Sequence, residues 1–398
     1  MHIHEAERSD LGRTTLYAMA VASGMAVANI YYNQPLLGLI EAEFPGEPAI
    51  GLLPTATQLG YALGLLLLLP LGDIVRRRPL IVGQFLAIAV AAAIAAVSPT
   101  PWMLLGASVL LGASATVAQQ IVPIAAARSK PKNRGAAVGT VMAGVLTGIL
   151  LSRTVSGFVG AHAGWREMFW ASVPLALGGA LLMVVTVPRL GPSSPLSYHR
   201  ALGSLVALWR REPDLRLASL VQAALFASFS VFWTVLALYL AIPRFGLGAD
   251  AAGLFGVVGA LGAFSAPVAG KMADRIGGKT VVWFGAVLTA IGWTVLATWT
   301  SIAGLVVGVI VLDIGIQVAL IANQHIIYAL DPTARGRINT VFMTSMFLGG
   351  ALGSALSFGA WSFGSWPGVS MLGIGFAALA LAAKAVAHRA ARAVSSKG

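Results

Sequence analysis

The chain has 398 residues, of which 58% are hydrophobic and only 10% are charged. Soluble domains carry about 25% charged residues, so this composition excludes a water-soluble globule of this length. Lys and Arg number 26 against 14 Asp and Glu, which gives a net charge of +12. Cysteine is absent, which excludes disulfides, thiolate metal sites and cysteine nucleophiles. We therefore expect an all-α membrane protein with the lipid bilayer around most of its mass.

Apolar runs of roughly 20 residues, the length that crosses the hydrocarbon core as a helix, recur along the whole chain. Cutting these runs at charges, Pro and Gly predicts twelve transmembrane helices, numbered here as spans 1 to 12. They cover residues 14–40, 50–71, 79–97, 102–127, 136–160, 166–187, 215–242, 251–272, 280–298, 301–329, 338–362 and 367–387. Span 1 lacks the short apolar core and small-residue cleavage site of a signal peptide, so we expect it to be retained.

The basic residues are distributed unequally between the two predicted faces of the membrane. All but three of the 26 Lys and Arg residues fall in loops or tails on one side. The exceptions are Arg166 and Arg244 in opposite loops and Arg153 inside span 5. Because basic loops stay in the cytoplasm, both termini are predicted to be cytoplasmic in a multi-pass protein of the bacterial inner membrane. The same bias explains the net charge without nucleic acid as a partner.

The two halves of the chain nearly repeat, so that Asp73 matches Asp274 and Trp165 matches Trp366. The repeat predicts a six-helix bundle over residues 1–187, a cytoplasmic linker over 188–214 and a second six-helix bundle over 215–398. An even number of spans makes the two halves parallel repeats about an axis along the membrane normal. That arrangement is typical of one class of secondary transporters, in which the site lies near the midplane between the halves.

Four segments carry a resemblance to a known family. Residues 270–279, GKMADRIGGK, resemble the Gly-x-Leu-Ala-Asp-Arg-x-Gly-Arg-Lys motif of the major facilitator superfamily, and residues 69–78, LPLGDIVRRR, resemble a degraded copy. Residues 164–169, GWREMF, are similar to the family's segment at the start of helix 6. Residues 29–37, NIYYNQPLL, are similar to a drug:proton antiporter-like group. The resemblance implies a secondary active transporter that exports a small organic solute in exchange for protons by alternating access.

The chain departs from that antiporter group at two places. Ser108 occupies the position in span 4 where many of these antiporters carry an Arg. In span 5, Gly144 and Gly148 are present, but Ile149 replaces the usual Pro and Arg153 falls where a later glycine is expected. Proton-coupled uptake of a sugar or metabolite is therefore the alternative within transporters. A non-transporting receptor or scaffold is the alternative outside that class.

Two ionisable residues fall inside spans, where a charge is expensive and marks a functional hypothesis. Asp313 lies near the middle of span 10, and Arg153 lies at a similar depth in span 5. The leading hypothesis is that Asp313 binds and releases the coupling proton and that Arg153 modulates it. A static ion pair that only holds two helices together, and two separate unrelated roles, are the alternatives.

Polar and aromatic side chains form stripes on the spans that line the pathway in the resembled family. We expect a substrate cavity bounded by these stripes, which suit a small amphipathic or polar solute. Interhelical hydrogen bonding is the alternative role for each of them. The candidates are Asn29, Tyr32 and Asn33 in span 1, Gln119 and Gln120 in span 4, Gln222, Phe226 and Trp233 in span 7, and Gln317 and Gln324 in span 10.

Two loops pair an acid with basic residues at the cytoplasmic ends of spans 2 and 8. They are predicted to form a gating latch, with simple positive-inside anchoring as the alternative; the residues are Asp73, Arg76 and Arg77, and Asp274 and Arg275. Small residues four apart in spans 2, 5 and 11, and three apart in span 8, predict close helix contacts at the interface between the halves.

Other function classes receive little support from the residues. No cluster of buried acids or histidines suggests an enzyme, and we expect no cofactor and no metal site. The remaining expected partners are a small-molecule substrate and the proton, with the chain acting as a monomer.

Overall fold

The computed structural model describes residues 12–130, 133–188, 191, 197–331 and 334–395. Parts of the predicted linker, residues 189–190 and 192–196, lie outside the described residues. Over the described ranges all regular structure is helical, which confirms the all-α class. The α helices are α1 (Arg13–Ala28), α2 (Asn33–Glu43), α3 (Pro48–Gly51), α4 (Leu53–Ile74), α5 (Arg77–Ala96), α6 (Pro101–Ser114), α7 (Val117–Arg128), α8 (Arg134–His162), α9 (Trp165–Thr186), α10 (Tyr198–Arg211), α11 (Pro213–Ala241), α12 (Ala249–Gly259), α13 (Ala266–Ile276), α14 (Gly278–Thr298), α15 (Ile302–Tyr328) and α16 (Arg335–Ser395). A 3-10 helix, Ala260–Ser265, joins α12 to α13.

Nine helical stretches in the described part of the chain are long and apolar enough to cross a membrane. They are α4, α5, α6 continued by α7, α8, α9, α11, α14, α15 and the long α16. A multi-pass membrane protein is therefore supported. Twelve crossings remain a prediction, because the other predicted spans are not separate uninterrupted helices.

Each of these interruptions lies beside a proline. Span 1 divides into α1 and α2, because Pro35 lacks the N–H that would bond to the Tyr31 carbonyl four residues earlier. Span 8 divides into α12, the 3-10 helix and α13, and Pro267 lies in the first turn of α13. Spans 11 and 12 run together in α16, where Ser365 takes a φ of 48° two residues before Pro367. A proline thus lies near each break, although Pro70 and Pro174 lie inside the continuous helices α4 and α9.

The buried side chains form clusters that follow the chain order. One large cluster is built almost entirely from residues 18–187, and a second from residues 221–380. A third cluster joins α1 and α4 to α11 and α16, and at its centre Tyr61 lies 4.3 Å from Phe347 between ring centroids. The predicted division at 188–214 stays a prediction, but the helices on its two sides meet across this third cluster.

The glycine pairs of α4, α8 and α16 make close helix contacts, but these contacts do not lie at the predicted interface between the two halves. A Cβ at Gly60 would meet the backbone of Val109 in α6, and one at Gly144 would meet the backbone of Ala20 in α1. Gly349 likewise lies against Ala223 in α11. These contacts join helices from the same part of the chain, so the expectation of an interface between the predicted halves is wrong for these three pairs. The glycines of α12 behave differently, as described below.

The two ends of the helix array differ in charge. We call the end where α4 is followed by Arg76–Arg78 and α13 is followed by Lys279 the basic side. At the opposite side α2 ends and α9 begins. There Trp165 Nε1 donates a 2.7 Å hydrogen bond to Glu43 Oε2, and Arg166 pairs with the same carboxylate. This hydrogen bond from Arg166 holds the pKa of Glu43 below its usual value.

Candidate functional site

Arg153 of α8 is enclosed by polar and aromatic groups, and only 4% of it is exposed. Its Nε donates a hydrogen bond of 2.8 Å to Gln34 Oε1 in α2. The guanidinium carbon lies 4.3 Å from the ring centroid of Tyr31 and 4.1 Å from that of Trp233. Each ring face attracts a cation through its quadrupole. Two segments that are distant from α8 in the chain therefore surround one buried positive charge.

Asp313 of α15 packs against α12 and the 3-10 helix that follows it. Its Oδ2 lies against Gly259, and its Cβ is 2.8 Å from the point where Gly262 would carry a Cβ. Asp313 Oδ1 is buried and accepts no hydrogen bond from any described residue. The indole N–H of Trp233 lies near enough to the carboxylate to stabilise its charge, although Nε1 meets no acceptor at hydrogen-bonding distance and angle in this part of the chain. Unsatisfied buried polar atoms are costly, so their concentration here marks an unusual site.

Arg153 and Asp313 form no direct ion pair within 4.0 Å among the ion pairs of the described residues. Nη2 of Arg153 is buried and lacks a hydrogen-bond partner in the described part of the chain. Trp233 contacts both groups, because it lies under the guanidinium and beside the carboxylate. The static ion pair considered from the sequence is therefore not formed in this conformation, while the proton-carrying role stays a prediction.

The glycine row of α12 lies between Arg153 and Asp313. A Cβ at Gly253 would lie 2.6 Å from the Arg153 carbonyl oxygen, and one at Gly256 would lie 2.9 Å from Arg153 Cβ. Gly259, one turn further, meets Asp313 and Trp233 instead. Only the missing side chains of this row let α12 approach both α8 and α15 so closely. The glycine row thus lets Arg153 of α8 and Asp313 of α15 both pack directly against α12.

A narrow cleft opens beside Arg153 between α2, α8, α11 and α12. Its lining residues are Gln34, Pro35, Arg153, Trp233, Leu236, Ala237 and Ala252. The walls are mostly apolar, and the polar groups are the Gln34 amide and the donor nitrogens of Arg153 and Trp233. Another narrow cleft lies at the basic side, beside Asp214 and Lys384. Neither cleft is bounded by all four of the predicted polar and aromatic stripes, and the substrate cavity expected from the sequence stays a prediction.

Three of the predicted cavity residues in span 1 are used for helix packing instead. Asn29 Oδ1 accepts a 2.6 Å hydrogen bond from Ser172 Oγ of α9. Asn33 Nδ2 donates to Thr57 Oγ1 of α4 at 2.8 Å. Tyr32 is buried in the cluster formed by residues 18–187. Interhelical packing, the alternative considered from the sequence, describes these residues in this conformation, and their cavity role stays a prediction.

Two further amides also bond within the helix array. Gln120 Nε2 donates to the Leu68 carbonyl at 2.9 Å, which joins α7 to α4. Gln222 Oε1 accepts a 3.1 Å hydrogen bond from Asn323 Nδ2, which joins α11 to α15. Both side chains are buried and are not part of the cleft at Arg153. Interhelical hydrogen bonding, the alternative role considered from the sequence, therefore describes them in this conformation.

The remaining cavity candidates divide between the aromatic row of α11 and partly exposed amides. Phe226 stacks on Phe229 with ring centroids 5.2 Å apart, and Trp233 continues this row to Arg153. The other three are partly exposed side chains that do not line the cleft; they are Gln119, Gln317 and Gln324. Of the ten predicted cavity residues, the structure thus brings Trp233 to the cleft.

The predicted gating residues form local contacts at the basic side. Asp73 pairs with Arg77 one turn later at 2.6 Å, and Arg77 Nε also donates to the Gly72 carbonyl. Asp274 lies 3.1 Å from His325 Nε2 in α15. Arg76 and Arg275 are exposed. The Asp274–His325 contact was not predicted, and the gating role of all these residues stays a prediction.

Two residues of the site were missed by the sequence reasoning. Gln34 orients Arg153 through its hydrogen bond, and Tyr31 stacks under the guanidinium. Both follow the end of α1, where the helix breaks and the face it presents changes. The signal that points to them is Pro35, because a helix phase cannot be carried across a proline break. No metal cluster of three or more His, Asp or Glu side chains occurs among the described residues.

Comparison with known proteins places this architecture in a family. The family model described as Major Facilitator Superfamily matches residues 17–354 and 218–397. The transporter YgaY of Escherichia coli strain K12 is 41% identical over 357 residues, covering 88% of this chain and 90% of that protein. A transporter of Streptomyces coelicolor, SCO4007, is 35% identical over 360 residues, covering 88% of this chain and 82% of that protein.

Solved structures agree on the fold. A crystal structure of the nucleoside transporter NupG has a TM-score of 0.75 and 15% identity, covering 94% of this chain and 99% of that one. The human organic anion transporter MFSD10 has a TM-score of 0.70 and 18% identity, covering 94% of this chain and 100% of that one. At such identities the likeness concerns the fold alone. With the family model and the relatives together, the chain belongs to the Major Facilitator Superfamily.

Proposed function

We propose that this membrane transporter of the superfamily couples proton movement to transport of a small organic solute by alternating access. It would have twelve crossings, six in residues 1–187 and six in 215–398, joined by a linker over 188–214. Both termini would be cytoplasmic, and the monomer would be the working unit. Efflux is the proposed direction, on the strength of the antiporter-like segment at residues 29–37.

The observation that carries the proposal is the unpaired Asp313 carboxylate. It is the one acid that lies away from the ends of the candidate spans in the described part of the chain. A carboxylate whose Oδ1 accepts no hydrogen bond gains little from staying charged, so taking up a proton relieves the cost of burial. Protonation would also remove the attraction between Asp313 and Arg153. The packing around α12 would then differ between the two protonation states.

The glycine row of α12 supports a link between that proton and movement of the helices. Gly256 faces Arg153 of α8, and Gly259 faces Asp313 of α15. A 3-10 stretch within a helix often marks a hinge, and here it begins directly after Gly259. We propose that α12 and α8 separate and close at this point. The acid and base pairs at the basic side, including Asp73 with Arg77, would latch the outward-open state.

Proton-coupled uptake is the second candidate, because Arg153 is a buried cation without an ion-pair partner among the described residues. An anionic solute would pair with such a cation, and it would bind best when Asp313 is neutral. Solute and proton would then travel together. In efflux by exchange, the solute and the proton instead bind in alternation. The two candidates therefore differ in whether protonation of Asp313 strengthens or weakens solute binding.

The test is flux into proteoliposomes of the purified full chain under an imposed pH gradient. A panel of anionic, neutral and cationic organic solutes is compared for wild type and Asp313→Asn. We expect the variant to lose gradient-driven accumulation but to keep solute exchange at equal pH on both sides. Asp250→Asn, an exposed acid in α12, is the matched control and should behave as wild type. Full gradient-driven transport by Asp313→Asn would overturn the proposal.

A further inference from the structure

The Arg153 guanidinium is a buried cation that forms no direct ion pair with any described residue. Its described neighbours are the Gln34 amide and the faces of Tyr31 and Trp233, none of which carries a formal negative charge. Buried charges in proteins are normally paired, because the cost of taking them out of water is several kcal/mol or more. Cation–π contacts return only about 0.5–2 kcal/mol each. Asp313 attracts this charge but forms no direct ion pair with it, so a directly bonded anionic partner is missing from its described neighbours.

The unfilled hydrogen-bonding atoms beside Arg153 are mainly donors. Arg153 Nη2 and Trp233 Nε1 are both buried without a partner in the described part of the chain. Both line the same cleft, and Gln34 fixes the guanidinium by accepting from its Nε. Neither group can accept a hydrogen bond. The ligand that completes this pair must therefore present acceptor atoms, and the positive charge without a direct ion pair favours an anion.

The walls of the cleft limit the rest of that ligand. Pro35, Leu236, Ala237 and Ala252 surround the donors with apolar surface. A strongly hydrated inorganic anion would lose its water there without replacement. A carboxylate carried on a compact apolar body would satisfy the donors at one end and bury carbon at the other.

From these observations we infer that the cleft between α2, α8, α11 and α12, which is narrow in this conformation and widens when α12 moves away from α8, binds an organic monocarboxylate. The carboxylate would accept from Arg153 Nη2 and Trp233 Nε1, with Gln34 as the positioning residue. This inference rests on the proposed transport function and names its substrate class.

The position of Asp313 gives this assignment a consequence for coupling. Trp233 lies beside both the proposed carboxylate position and the Asp313 carboxylate. Two anions at one indole repel each other, so the substrate binds more tightly when Asp313 carries a proton. Arg166 lies at the opposite side and faces Glu43. Arg244 also lies at that side and faces Thr300, so neither arginine faces Asp313. An anionic substrate therefore favours the second candidate, uptake in which solute and proton move together, over the efflux proposed first.

The first experiment measures binding and requires no transport. Benzoate and its uncharged isostere benzamide are titrated calorimetrically into the purified full chain. Charge-assisted hydrogen bonds contribute about 1.5–3 kcal/mol, so Arg153→Gln should weaken benzoate binding by about tenfold to about a hundredfold. Benzamide should bind weakly to both proteins. Arg244→Gln removes an exposed arginine at the opposite side, and its affinity for benzoate should equal that of wild type.

A second variant separates loss of the site from loss of folding. Gln34→Glu is nearly isosteric and supplies Arg153 with a permanent carboxylate 2.8 Å from Nε, the distance at which the amide oxygen now lies. The folded variant should lose benzoate binding, because the cation is already neutralised. Asp313→Asn should retain benzoate binding but lose its increase at low pH.

The outcomes are distinct for the two proposals. Equal benzoate affinity in wild type and Arg153→Gln, benzamide binding as tight as benzoate, or no benzoate binding to folded wild type would each overturn the carboxylate site. Proton coupling can fail independently, if Asp313→Asn binds benzoate with the same pH dependence as wild type. Anion binding would then stand without the proposed proton carrier.

Discussion

Replacing Gly259 by Ala tests whether the close approach of α12 to α15 holds the site together. A Cβ built at Gly259 lies 2.8 Å from Trp233 Cζ2 and closer still to Asp313 Oδ2. Carbon atoms in proteins pack at about 3.5–4.0 Å, so the helix or its neighbours must move by roughly 1 Å. Trp233 cannot easily yield, because Arg153 and Phe232 pack on it. Overpacking of this kind costs about 1–3 kcal/mol.

The assay is thermal unfolding in detergent, together with flux in proteoliposomes. Gly270→Ala is the matched control, because it lies in α13, the continuation of the same predicted span, and has open space around its Cβ position. We expect Gly259→Ala to be less stable than Gly270→Ala by about 1–3 kcal/mol and to transport poorly. Equal stability and equal flux in the two variants would refute the reasoning that the glycine row sets this contact.

Two further predictions concern packing and pH. Gly60→Ala should destabilise the protein by about 1–3 kcal/mol, because the new Cβ meets the Val109 backbone, whereas Gly106→Ala meets open space; unchanged relative melting temperatures would contradict this. Because Arg166 lowers the pKa of Glu43 in the folded protein, their pairing stabilises the fold above the usual Glu pKa of about 4.3 and is lost as pH falls through the lowered value. Glu43→Gln should therefore be less stable than wild type by about 0.2–1 kcal/mol at neutral pH, and the difference in melting temperature should vanish in acid; a difference independent of pH would contradict it.

The helical class and most of the helices could be predicted from the sequence, because apolar runs of the right length have few other structures available. The breaks could have been predicted too. Pro35 and Pro267 each lie where a predicted span is not a continuous helix, and Pro367 begins predicted span 12 directly after the kink at Ser365 in α16. The prediction weighed hydrophobicity above the missing N–H of proline, and hydrophobicity alone does not report helix continuity.

The site was predictable only in part. Asp313 and Arg153 stood out because a charge inside an apolar run must have a reason. Gln34 did not, since its bond to Arg153 joins residues 119 positions apart and leaves no local pattern. Asn29 and Asn33 were assigned to a cavity, but they bond to α9 and α4. Residue type indicates that an amide in a membrane helix needs a partner, but it does not indicate whether that partner is a solute or a helix.

The central claim is that protonation of one aspartate, Asp313, drives α8 and α12 to separate at one side of the molecule while they close at the other. Since the chain has no cysteine, pairs of introduced cysteines can be spin-labelled without interference. One pair replaces the exposed His162 and Asp250 at the opposite side, and another replaces the exposed Ala136 and Lys271 at the basic side. Both pairs join α8 to α12 or its continuation α13.

The deciding measurement is electron-electron double resonance on each labelled pair between about pH 4 and about pH 9. This range covers the pKa values of both ordinary and buried carboxyl groups. We predict that the two distances change in opposite directions with pH and that Asp313→Asn abolishes both changes. Distances that do not depend on pH, that increase and decrease together, or that still respond to pH in Asp313→Asn would contradict the mechanism.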